Sequence, residues 1–444
     1  MTAPVPPVES FGGFVRAAQR SGHLVVQPRM GISDPYRMRE GLLATRQADA
    51  TTVGTITLDS YTRVGDHEAA RRALADGVPL NGYPIVAYST ATTRAVTEGI
   101  AGATFPVQVR HGSAAPQDIF EAVVAAGLTA SEGGPISYCL PYSRTPIEQS
   151  VANWEASCAV LARLREHGAE PHLETFGGCM MGQLAPPGLL VAISVLEALF
   201  FRQHGLRSVS LSYAQQTHPE QDEEAVTALG RIAAELLGDL DWHIVIYAYM
   251  GVYPRTPGGA RLLLEEAARL AVRTGAARLI VKTSAEAHRI PTVAENVTAL
   301  EAAARASEQV RPTASVQDTG IHAEALGLVH AVLDLDPDLG RALTKAFALG
   351  VLDVPYCLHP DNAGRARSYL DSAGRLHWSD TGAMPVRGTG RGVGRMTSAG
   401  LLSSLSYVQQ RFDRLAVETA DLRRLTAPAP QKATTPAPQK EYAR

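Results

Sequence analysis

The sequence predicts an α/β fold, a closed (β/α)8 barrel of TIM type followed by a mixed helical C-terminal extension. Short runs of strand-forming residues alternate with stretches of helical periodicity, an order that is typical of parallel sheets. About eight such units over roughly 250 residues is the size of a (β/α)8 barrel. After residue 310 the alternation stops and helical patterns dominate. An open, doubly wound sheet is the alternative fold.

Nine runs have the composition of buried strands. They are HLVVQ (23–27), TVGTIT (52–57), PIVAYS (84–89), PVQVR (106–110), LTASE (128–132), HLETF (172–176), SVSLSY (208–213), HIVIYAY (243–249) and RLIVK (278–282). A barrel of this type has eight strands. We therefore expect one of the nine runs to lie outside the barrel or to have another structure.

Helix ends are marked by residues that favour them. In TPIEQSVANWEASCAVLARLREHG, Thr145 is the expected N-cap, Pro146 the first helical residue and Gly168 the stop. Apolar residues three or four apart indicate that this helix buries one face: Ile147, Val151, Trp154, Cys158 and Leu161. Another helix is expected to begin at Thr292, where TVAE forms a capping box.

These patterns divide the chain into four parts. We expect an N-terminal segment over 1–21, a barrel over 22–310, a helical and mixed region packed on the barrel over 311–425, and a disordered tail over 426–444. The tail repeats PAPQK and has too little apolar material to fold. The stretch RGTGRGVGR (387–395) lacks GxGxxG spacing, so we interpret it as a flexible connection rather than a phosphate-binding loop.

Charge and composition exclude several classes of partner. The net charge of the 444 residues is −3, which argues against broad binding to nucleic acid or anionic lipid. The start MTAPVPPVES does not resemble a secretory signal, and the longest apolar stretch (188–201) is too short to span a bilayer and contains Glu197. The four cysteines are widely spaced and form no CxxC pair. We therefore expect a protein of the reducing cytoplasm that binds neither nucleic acid nor membrane.

Common catalytic motifs are missing from the sequence. There is no GxxxxGK phosphate loop, no HExxH zinc pair and no GxSxG nucleophile elbow. Polar residues at the ends of predicted strands are the remaining candidates for a functional site.

Charged side chains stand where four of the predicted strands end. Arg29 follows LVVQP, Arg63 lies beyond TVGTIT in LDSYTR, Arg110 closes PVQVR and Glu132 closes LTASE. All strands of a parallel barrel end on one face, and that face carries the active site. A single arginine at such a position is usually a rim residue in a surface ion pair. Three of them beside a carboxylate predict a common site.

This cluster has the chemistry to bind a small dianion. Arginine binds a carboxylate through two parallel hydrogen bonds, and a substrate with two carboxylates can use three guanidiniums. Glu132 then requires a cation, which an amino group on the same substrate supplies. The loop EGGPISYCLPYS (132–143) adds the hydroxyls of Tyr138 and Tyr142 and glycines for close backbone approach. The residues thus predict an amino-dicarboxylate substrate.

Eight segments resemble, in order and approximate spacing, the motifs of the catalytic (epsilon) subunit of glutamate mutase, also called methylaspartate mutase. They extend from about residue 22 to 370 and are LVVQPRMG, TLDSYTR, LNGYP, PVQVRHG, EGGPISYCLPY, YMGVYP, IVKTSAEAHRIPT and GVLDVPY. That family has a TIM barrel, uses adenosylcobalamin, and interconverts L-glutamate and (2S,3S)-3-methylaspartate by a radical rearrangement. Its substrate agrees with the amino-dicarboxylate predicted from the residues.

The resemblance also implies roles for individual residues. The implied substrate contacts are Arg29, Arg63, Arg110, His111, Glu132, Tyr138 and Tyr142. The implied coenzyme contacts are Gly31, Asn81, Pro141, Tyr253, Lys282, Glu286 and Ile290. Glu132 is the implied catalytic residue, since it would hold the amine and transiently take a proton. Lys282 and Glu286 would hold adenosyl ribose hydroxyls, although residues four apart also form surface ion pairs.

The resemblance further implies a partner. In the family, the cobalt ligand is the histidine of a DxHxxG motif on a small separate subunit. The nearest string here is DWHIVI, in which Asp241 and His243 have the spacing but Ile246 replaces the glycine, inside a predicted strand. We therefore expect His243 to be a packed strand residue and the cobalt ligand to come from a small cobalamin-binding subunit. The resemblance implies a homodimer of this chain within a heterotetramer.

Two other functions remain open. One is a cobalamin-independent barrel lyase or aldolase for an acidic substrate, which would be active without a corrinoid. The other is a non-catalytic subunit that binds amino-dicarboxylates or a partner. The presence of the whole polar set, including Lys282 and Glu286, counts against the second.

Overall fold

The structure, a computed structural model, describes residues 10–180, 184–313, 315–387 and 396–426. Nearly all of the RGTGRGVGR stretch and of the predicted tail lies outside the described residues, so both interpretations stay predictions. Within the described ranges, no helix has both the length and the apolar character needed to cross a bilayer.

Eight parallel strands form one sheet that closes on itself. They are β1 (Val25–Gln27), β2 (Gly54–Thr57), β3 (Val107–Arg110), β4 (Ala130–Gly133), β5 (His172–Thr175), β6 (Ser208–Ala214), β7 (Asp241–Tyr247) and β8 (Arg278–Ile280). From β2 onward each strand pairs with the next one in sequence, and β8 pairs in parallel with β1. A parallel bridge between Val26 and Thr52 completes the ring. The predicted (β/α)8 barrel is confirmed, and the doubly wound alternative is excluded because the strand order never reverses.

One of the nine predicted strands is wrong. The run PIVAYS (84–89) forms a turn between β2 and the helix that begins at Thr90. The amides of Ala87 and Tyr88 donate to the carbonyl oxygen of Pro84 at 3.0 and 3.2 Å, which is a helical-turn pattern. The run is apolar because it packs into the core, where Ile85 is buried. Apolar composition alone does not separate such a turn from a short strand.

Helices surround the sheet. After α1 (Phe11–Arg20) they are α2 (Pro35–Gln47), α3 (Ser60–Arg63), α4 (His67–Ala75), α5 (Thr90–Thr97), α6 (Gln117–Ala125), α7 (Ile147–Ala162), α8 (Pro187–Gln203), α9 (Pro219–Leu236), α10 (Pro257–Thr274) and α11 (Val293–Glu308). Short 3-10 helices lie at Arg163–His167, Gly177–Cys179 and Ser284–Ala287. At least one α-helix follows every strand of the barrel, so all the strands end on one face.

The predicted start of α7 is wrong by one residue. Pro146, rather than Thr145, is its N-cap. The amide of Ile147 donates to the carboxylate of Asp361 at 2.8 Å, so a residue remote in the sequence supplies the cap that the local side chain does not. The other two predicted end residues are confirmed: Gly168 and Thr292.

The N-terminal helix α1 closes the barrel at the end where the strands begin. The Phe11 ring lies 4.9 Å from the ring of His172 on β5 and 4.9 Å from the guanidinium of Arg278 on β8. Arg16 forms an ion pair with Asp241 of β7 at 2.7 Å. Helix α1 is therefore the floor of the barrel, opposite the face where the strands end.

The interior of the barrel is polar. Side chains alternate between the two faces of a strand, and this alternation brings Gln27, Gln108, Glu174 and Arg278 together in the interior. The Gln27 amide donates to Gln108 Oε1 at 2.8 Å. Arg278 and Glu174 form an ion pair in which both side chains are fully buried. A layer of paired charges and amides therefore lies beneath the open face.

The chain after residue 310 packs on the outside of the barrel. It contains α12 (Ile321–Leu333), α13 (Leu339–Leu349), the antiparallel hairpin of β9 (Arg367–Leu370) and β10 (Leu376–Asp380), and α14 (Ser398–Thr426). Helix α12 packs against α8 and α9, and α14 packs against α10. Asp413 of α14 accepts hydrogen bonds from the amides of Arg255 and Thr256, just before α10, at 3.0 and 2.9 Å. Hydrogen bonds and packing thus connect this helical region to the barrel.

The variant Arg278→Met tests the importance of the buried ion pair. It leaves Glu174 buried without its guanidinium, so we expect the free energy of unfolding to fall by roughly 3–5 kcal/mol. Urea denaturation followed by circular dichroism measures this change. The control Arg269→Met disrupts part-exposed ion pairs with Glu265 and Glu266 on α10 and should cost less than about 1 kcal/mol. Equal losses in the two variants would contradict the assignment.

Candidate active site

Arg110 and Glu132 lie side by side at the open end of the barrel. They stand at the carboxyl ends of β3 and β4. Arg110 Nη2 is 3.0 Å from Glu132 Oε2, and the two side chains are only 5% and 2% exposed. The sequence predicts a substrate ammonium as the partner of Glu132, and the structure gives it the guanidinium of Arg110 as well. The base of the site is therefore a fixed pair of opposite charges.

Tyr247 at the end of β7 connects this pair to the polar layer below. Its hydroxyl donates to Glu132 at 2.8 Å and also contacts Glu174. Arg110 Nη2 donates to the same hydroxyl at 3.3 Å, and its guanidinium lies 5.1 Å from the centroid of the Tyr247 ring. Because Glu174 pairs with Arg278, one phenol joins two buried ion pairs.

The loop after β4 is a compact turn that brings Tyr138 onto Glu132. The Tyr138 amide donates to the carbonyl of Gly134 at 3.2 Å, and the Tyr138 hydroxyl donates to Glu132. Gly133 has a φ of 128°. A Cβ there would lie 2.4 Å from Trp154 and 2.5 Å from Tyr138, so a side chain does not fit. Gly133 thus permits the packing of the loop on its own aromatic neighbours.

Tyr142 lies at the outer edge of the same loop. It is 48% exposed, and its ring is 5.9 Å from that of Tyr138 and 6.3 Å from that of Phe176. No hydrogen bond joins its hydroxyl to another of the described residues. Tyr142 can therefore bind a ligand at the opening, whereas Tyr138 is engaged with Glu132.

His111 follows Arg110 and is held as a neutral imidazole. Its ring contacts three aromatic side chains: Phe120, Tyr138 and Trp154. Nδ1 accepts a hydrogen bond from the amide of Ser113 at 3.0 Å, so Nε2 carries the hydrogen. Burial, with the guanidiniums of Arg63 and Arg110, lowers the pKa of His111 to about 3. His111 is therefore uncharged at neutral pH.

Arg29 approaches the opening from the loop after β1. Its Nη1 is 3.3 Å from Oε2 of Glu286, which belongs to the loop after β8. Glu286 Oε1 accepts from the amide of Thr283 at 3.0 Å. Glu286 thus pairs with Arg29. The alternative of a surface ion pair between Lys282 and Glu286, four residues apart, does not form.

Arg63 approaches from the short helix α3 after β2. Its side chain passes close to Gly112, where an added Cβ would lie 3.0 Å from Arg63 Cδ. Asn81, an implied coenzyme contact, accepts a hydrogen bond from the amide of Ser60 at 2.9 Å and so fixes the start of α3. Among the described residues, no carboxylate lies within ion-pair distance of Arg63.

The three guanidiniums share one neighbourhood. Arg29 and Arg110 both act electrostatically on the hydroxyl of Tyr142. Arg63 and Arg110 both act on the ring of His111. Three side chains, from the loop after β1, helix α3 and the end of β3, therefore lie near one another at the opening, as the convergence of strand ends requires.

Lys282 is a nearly buried ammonium just after β8. Its Nζ lies 4.4 Å from the centroid of the Tyr253 ring, and the Tyr253 hydroxyl donates to the carbonyl of Lys282 at 3.3 Å. Burial, assisted by Arg29, lowers the pKa of Lys282 to about 8. Like Arg63, it has no carboxylate partner within ion-pair distance in the described part of the chain. The opening therefore carries an excess of positive charge.

The remaining implied coenzyme contacts lie around the rim. Gly31 follows β1 and packs so closely on β2 that a Cβ would lie 2.2 Å from the carbonyl oxygen of Thr57. Pro141 lies beside Tyr142 in the loop after β4. Ile290 follows β8 and is 60% exposed. All the residues named for substrate or coenzyme thus belong to segments at the open face.

Sequence reasoning missed the residues that support Glu132 from below. Glu174, Tyr247 and Arg278 belong to the strand runs HLETF, HIVIYAY and RLIVK but do not stand at their carboxyl ends. The sequence signal that could have revealed this support is an ionisable residue in each of two strand runs, Glu174 in HLETF and Arg278 in RLIVK. An ionisable side chain within a strand that is buried on both faces needs a partner in the interior.

His243 lies inside β7, away from the open face. It is buried, and its ring stacks on that of His172 with centroids 5.1 Å apart. The prediction of a packed strand histidine is confirmed. In the described ranges, no three His, Cys, Asp or Glu side chains are grouped so that they could hold a metal ion.

Comparison with known proteins covers most of the chain. Residues 5–396 match the family model described as methylaspartate mutase E chain. Relatives from Escherichia coli O157:H7 and Yersinia enterocolitica serotype O:8, both named glutamate mutase epsilon subunit, are 30% identical over 401 residues, or 86% of this chain and 82% of theirs. The protein of that name from Halobacterium salinarum is 30% identical over 396 residues with the same coverage.

One solved structure superposes on part of this chain with low similarity. The truncated 3-deoxy-D-arabino-heptulosonate 7-phosphate synthase of Thermotoga maritima gives a TM-score of 0.36 at 11% identity over 65% of this chain and 86% of that chain, which is too weak to support a conclusion. The sequence match extends over nearly the whole described chain and includes every strand of the barrel. This chain therefore belongs to the methylaspartate mutase E chain family.

Proposed function

We propose that this chain is the catalytic subunit of an adenosylcobalamin-dependent mutase that interconverts L-glutamate and (2S,3S)-3-methylaspartate. Its family membership makes it an isomerase of the methylaspartate mutase type. The observation that carries the substrate assignment is the buried pair of Arg110 and Glu132 at the centre of a cationic opening. A molecule with two carboxylates and one amino group matches both signs of charge.

Substrate orientation follows from the placement of the charges. The carboxylates are expected at the guanidiniums of Arg29, Arg63 and Arg110, which can each give two parallel hydrogen bonds. Neutral His111 and the Tyr142 hydroxyl add uncharged hydrogen-bonding groups. In a carbon-skeleton rearrangement, one particular hydrogen of the substrate must be held where it can react. Orientation of the substrate by several fixed groups is therefore a large part of the catalysis.

Glu132 is the group that holds the substrate amine. Two phenols, Tyr138 and Tyr247, donate to its carboxylate and fix its position. A substrate ammonium at this carboxylate can donate a hydrogen bond to it and can pass a proton to it. Because the surroundings are buried, this interaction is stronger than it would be in water.

Residues on the β8 side of the opening fit the adenosyl group of the coenzyme. Lys282 offers an ammonium with no carboxylate partner among the described residues, and Glu286 offers carboxylate oxygens. Together they are a donor and an acceptor for ribose hydroxyls. The bound coenzyme supplies the radical chemistry, while this chain positions the substrate and excludes water. Helix α1, which closes the barrel beneath the site, contributes to the exclusion of water.

Exposed apolar side chains surround the opening and favour a partner. Examples that are between 40% and 83% exposed, in segments that follow strand ends or beside Tyr142, include Tyr36, Tyr61, Tyr142, Val252, Ile290 and Leu358. Such groups mark a surface that another protein or a large ligand covers. We propose that a small subunit with a DxHxxG motif binds here and supplies the cobalt ligand, with two copies of this chain in a heterotetramer. The four buried free thiols suit the proposed cytoplasmic location.

A cobalamin-independent lyase or aldolase is the alternative. Lys282 favours it, because a buried amine with a pKa of about 8 is partly neutral near that pH and can act as a nucleophile. Such an enzyme would turn over an acidic substrate with no corrinoid present, whereas a mutase of this family would not.

Reconstitution of the enzyme from its components distinguishes the mutase from the lyase or aldolase. We expect the purified chain to be inactive on L-glutamate alone and to become active only when a cobalamin-binding DxHxxG subunit and adenosylcobalamin are both added. The measurement is formation of 3-methylaspartate by chromatography with each component omitted in turn. The matched control is the partner with its DxHxxG histidine replaced by glycine. Turnover by this chain without corrinoid would contradict the mutase proposal.

Arg110→Lys and Glu132→Gln test the substrate site. The first keeps the charge but loses the two-pronged geometry, and the second keeps the shape but loses the charge that attracts an ammonium. Each should lower kcat/KM by on the order of 10²-fold or more. The losses should not add in the double variant, because both residues act on one bound molecule and on each other.

Matched controls on α10 make this test specific. Arg269→Lys and Glu265→Gln change the same residue types in an ion pair on the outside of the barrel and should leave kcat/KM within about twofold. Circular dichroism checks that all variants fold. Near-normal turnover by either site variant, or fully additive losses, would place the substrate elsewhere.

A further inference from the structure

Helix α8 carries a single carboxylate in an otherwise apolar, buried stretch. Glu197 is 0% exposed and lies among residues such as Leu196 and Ala198, which are buried as well. No cation pairs with Glu197 among the described residues. A buried carboxylate without a counter-charge is costly unless several donors point at it, so its contacts define its role.

Five hydrogen bonds converge on this carboxylate. Oε1 accepts from the amides of Ile136 and Ser137 at 3.3 and 2.8 Å. Oε2 accepts from the Ser137 hydroxyl at 3.0 Å and from the amides of Phe176 and Gly177 at 3.2 and 2.9 Å. Each oxygen therefore has two backbone amides, one pair from the loop after β4 and the other from the loop after β5.

The loop after β4 is shaped around this carboxylate. A Cβ on Gly134 would lie 2.0 Å from Glu197 Oε1, so this glycine leaves room for the carboxylate. The amides of Tyr138 and Leu140 donate to the carbonyls of Gly134 and Ile136 at 3.2 and 3.0 Å, which closes the turn. The position of Tyr138 therefore depends on the same short turn that binds Glu197.

The two loops meet again above Glu132. The ring of Tyr138, from the first loop, lies 4.9 Å from the ring of Phe176, from the second. The Tyr138 hydroxyl donates to Glu132. A shift of either loop would therefore move the phenol away from the carboxylate that it holds.

We propose that Glu197 is a positioning residue that fixes the loops after β4 and β5 to one another and thereby sets the contact of Tyr138 with Glu132. Glu197 forms no hydrogen bond with either of those two side chains. The effect on turnover rests on the proposed function, whereas the effect on the loops does not. The ionised form is the one that accepts all five hydrogen bonds; burial without a counter-charge raises its pKa to about 7, against the effect of the hydrogen bonds.

Glu197→Gln tests the proposal on the full chain. The amide can accept at only one end, so its NH2 group must face either the amides of Ile136 and Ser137 or those of Phe176 and Gly177. We expect hydrogen–deuterium exchange, measured by mass spectrometry, to become at least about 10-fold faster in one or both loops. Unchanged exchange in both loops of the folded variant would overturn the proposal.

Ser194→Ala is the matched control. It lies on the same helix, is equally buried, and loses hydrogen bonds to Thr175 and to the Ser212 carbonyl instead. We expect exchange in the two loops to stay within about twofold of the unmodified chain. An effect equal to that of Glu197→Gln would show that any polar loss on α8 loosens the loops and would overturn the specific role of Glu197.

Two further variants cover the case in which Glu197→Gln does not fold. Ser137→Ala removes one of the five hydrogen bonds, and Gly134→Ala places a methyl group against the carboxylate. Both should accelerate exchange in the same two loops, and normal exchange in both variants would overturn the proposal.

Activity of the assembled enzyme gives a second readout. Glu197→Gln should lower kcat/KM at least about 10-fold, and less than about threefold in a Tyr138→Phe background, because the effect passes through Tyr138. An equal loss of kcat/KM with Tyr138 and with Phe at position 138 would show that the effect of Glu197 does not pass through Tyr138. If the assembled enzyme without substitutions is inactive, the proposed function fails while the exchange experiment still decides on the loops.

Discussion

Two ion pairs buried inside one barrel are the interaction on which the rest of the structure depends. Glu174 pairs with Arg278 inside the barrel, Arg110 pairs with Glu132 where the strands end, and Tyr247 bridges them. Charges enclosed in protein interact strongly and are costly when unpaired, so these contacts hold five strands in one relative arrangement. A charged substrate at the open face therefore meets a fixed electrostatic surface rather than a flexible one.

The loops add the excess of positive charge and the contacts that complete the site. Arg63 and Lys282 have no carboxylate partner in the described part of the chain, and they come from loops after different strands. The loops after β4 and β5 form the wall over Glu132, and the carboxylate of Glu197 on α8 joins them through four backbone amides. A rigid base and loops fixed by a helix behind them together form the site at which we propose that an amino-dicarboxylate binds.

The sequence was sufficient to predict which residues lie at the open face, but not which buried residues hold them in place. Arg110 and Glu132 close their strand runs, and the rule that parallel strands end on one face places them together. Glu174 and Arg278 lie within runs, and their inward direction follows only from how the barrel closes. In the sequence, Glu197 is recognisable only as a charge in an apolar stretch, because its five donors lie on loops remote from it in sequence. Contacts such as Asp361 at the start of α7 were likewise beyond local patterns.

A crystal structure of the full chain with bound L-glutamate is the most direct test of whether Arg110 and Glu132 bind the substrate. We predict that the amino nitrogen lies within about 3 Å of the Glu132 carboxylate and that the two carboxylates contact the guanidiniums at the opening, with Arg110 among them. Glutarate, which has no amino group, is the matched ligand and should leave Glu132 without that contact. L-Glutamate bound away from Arg110 and Glu132, or with a carboxylate directed at Glu132, would contradict the proposed substrate site.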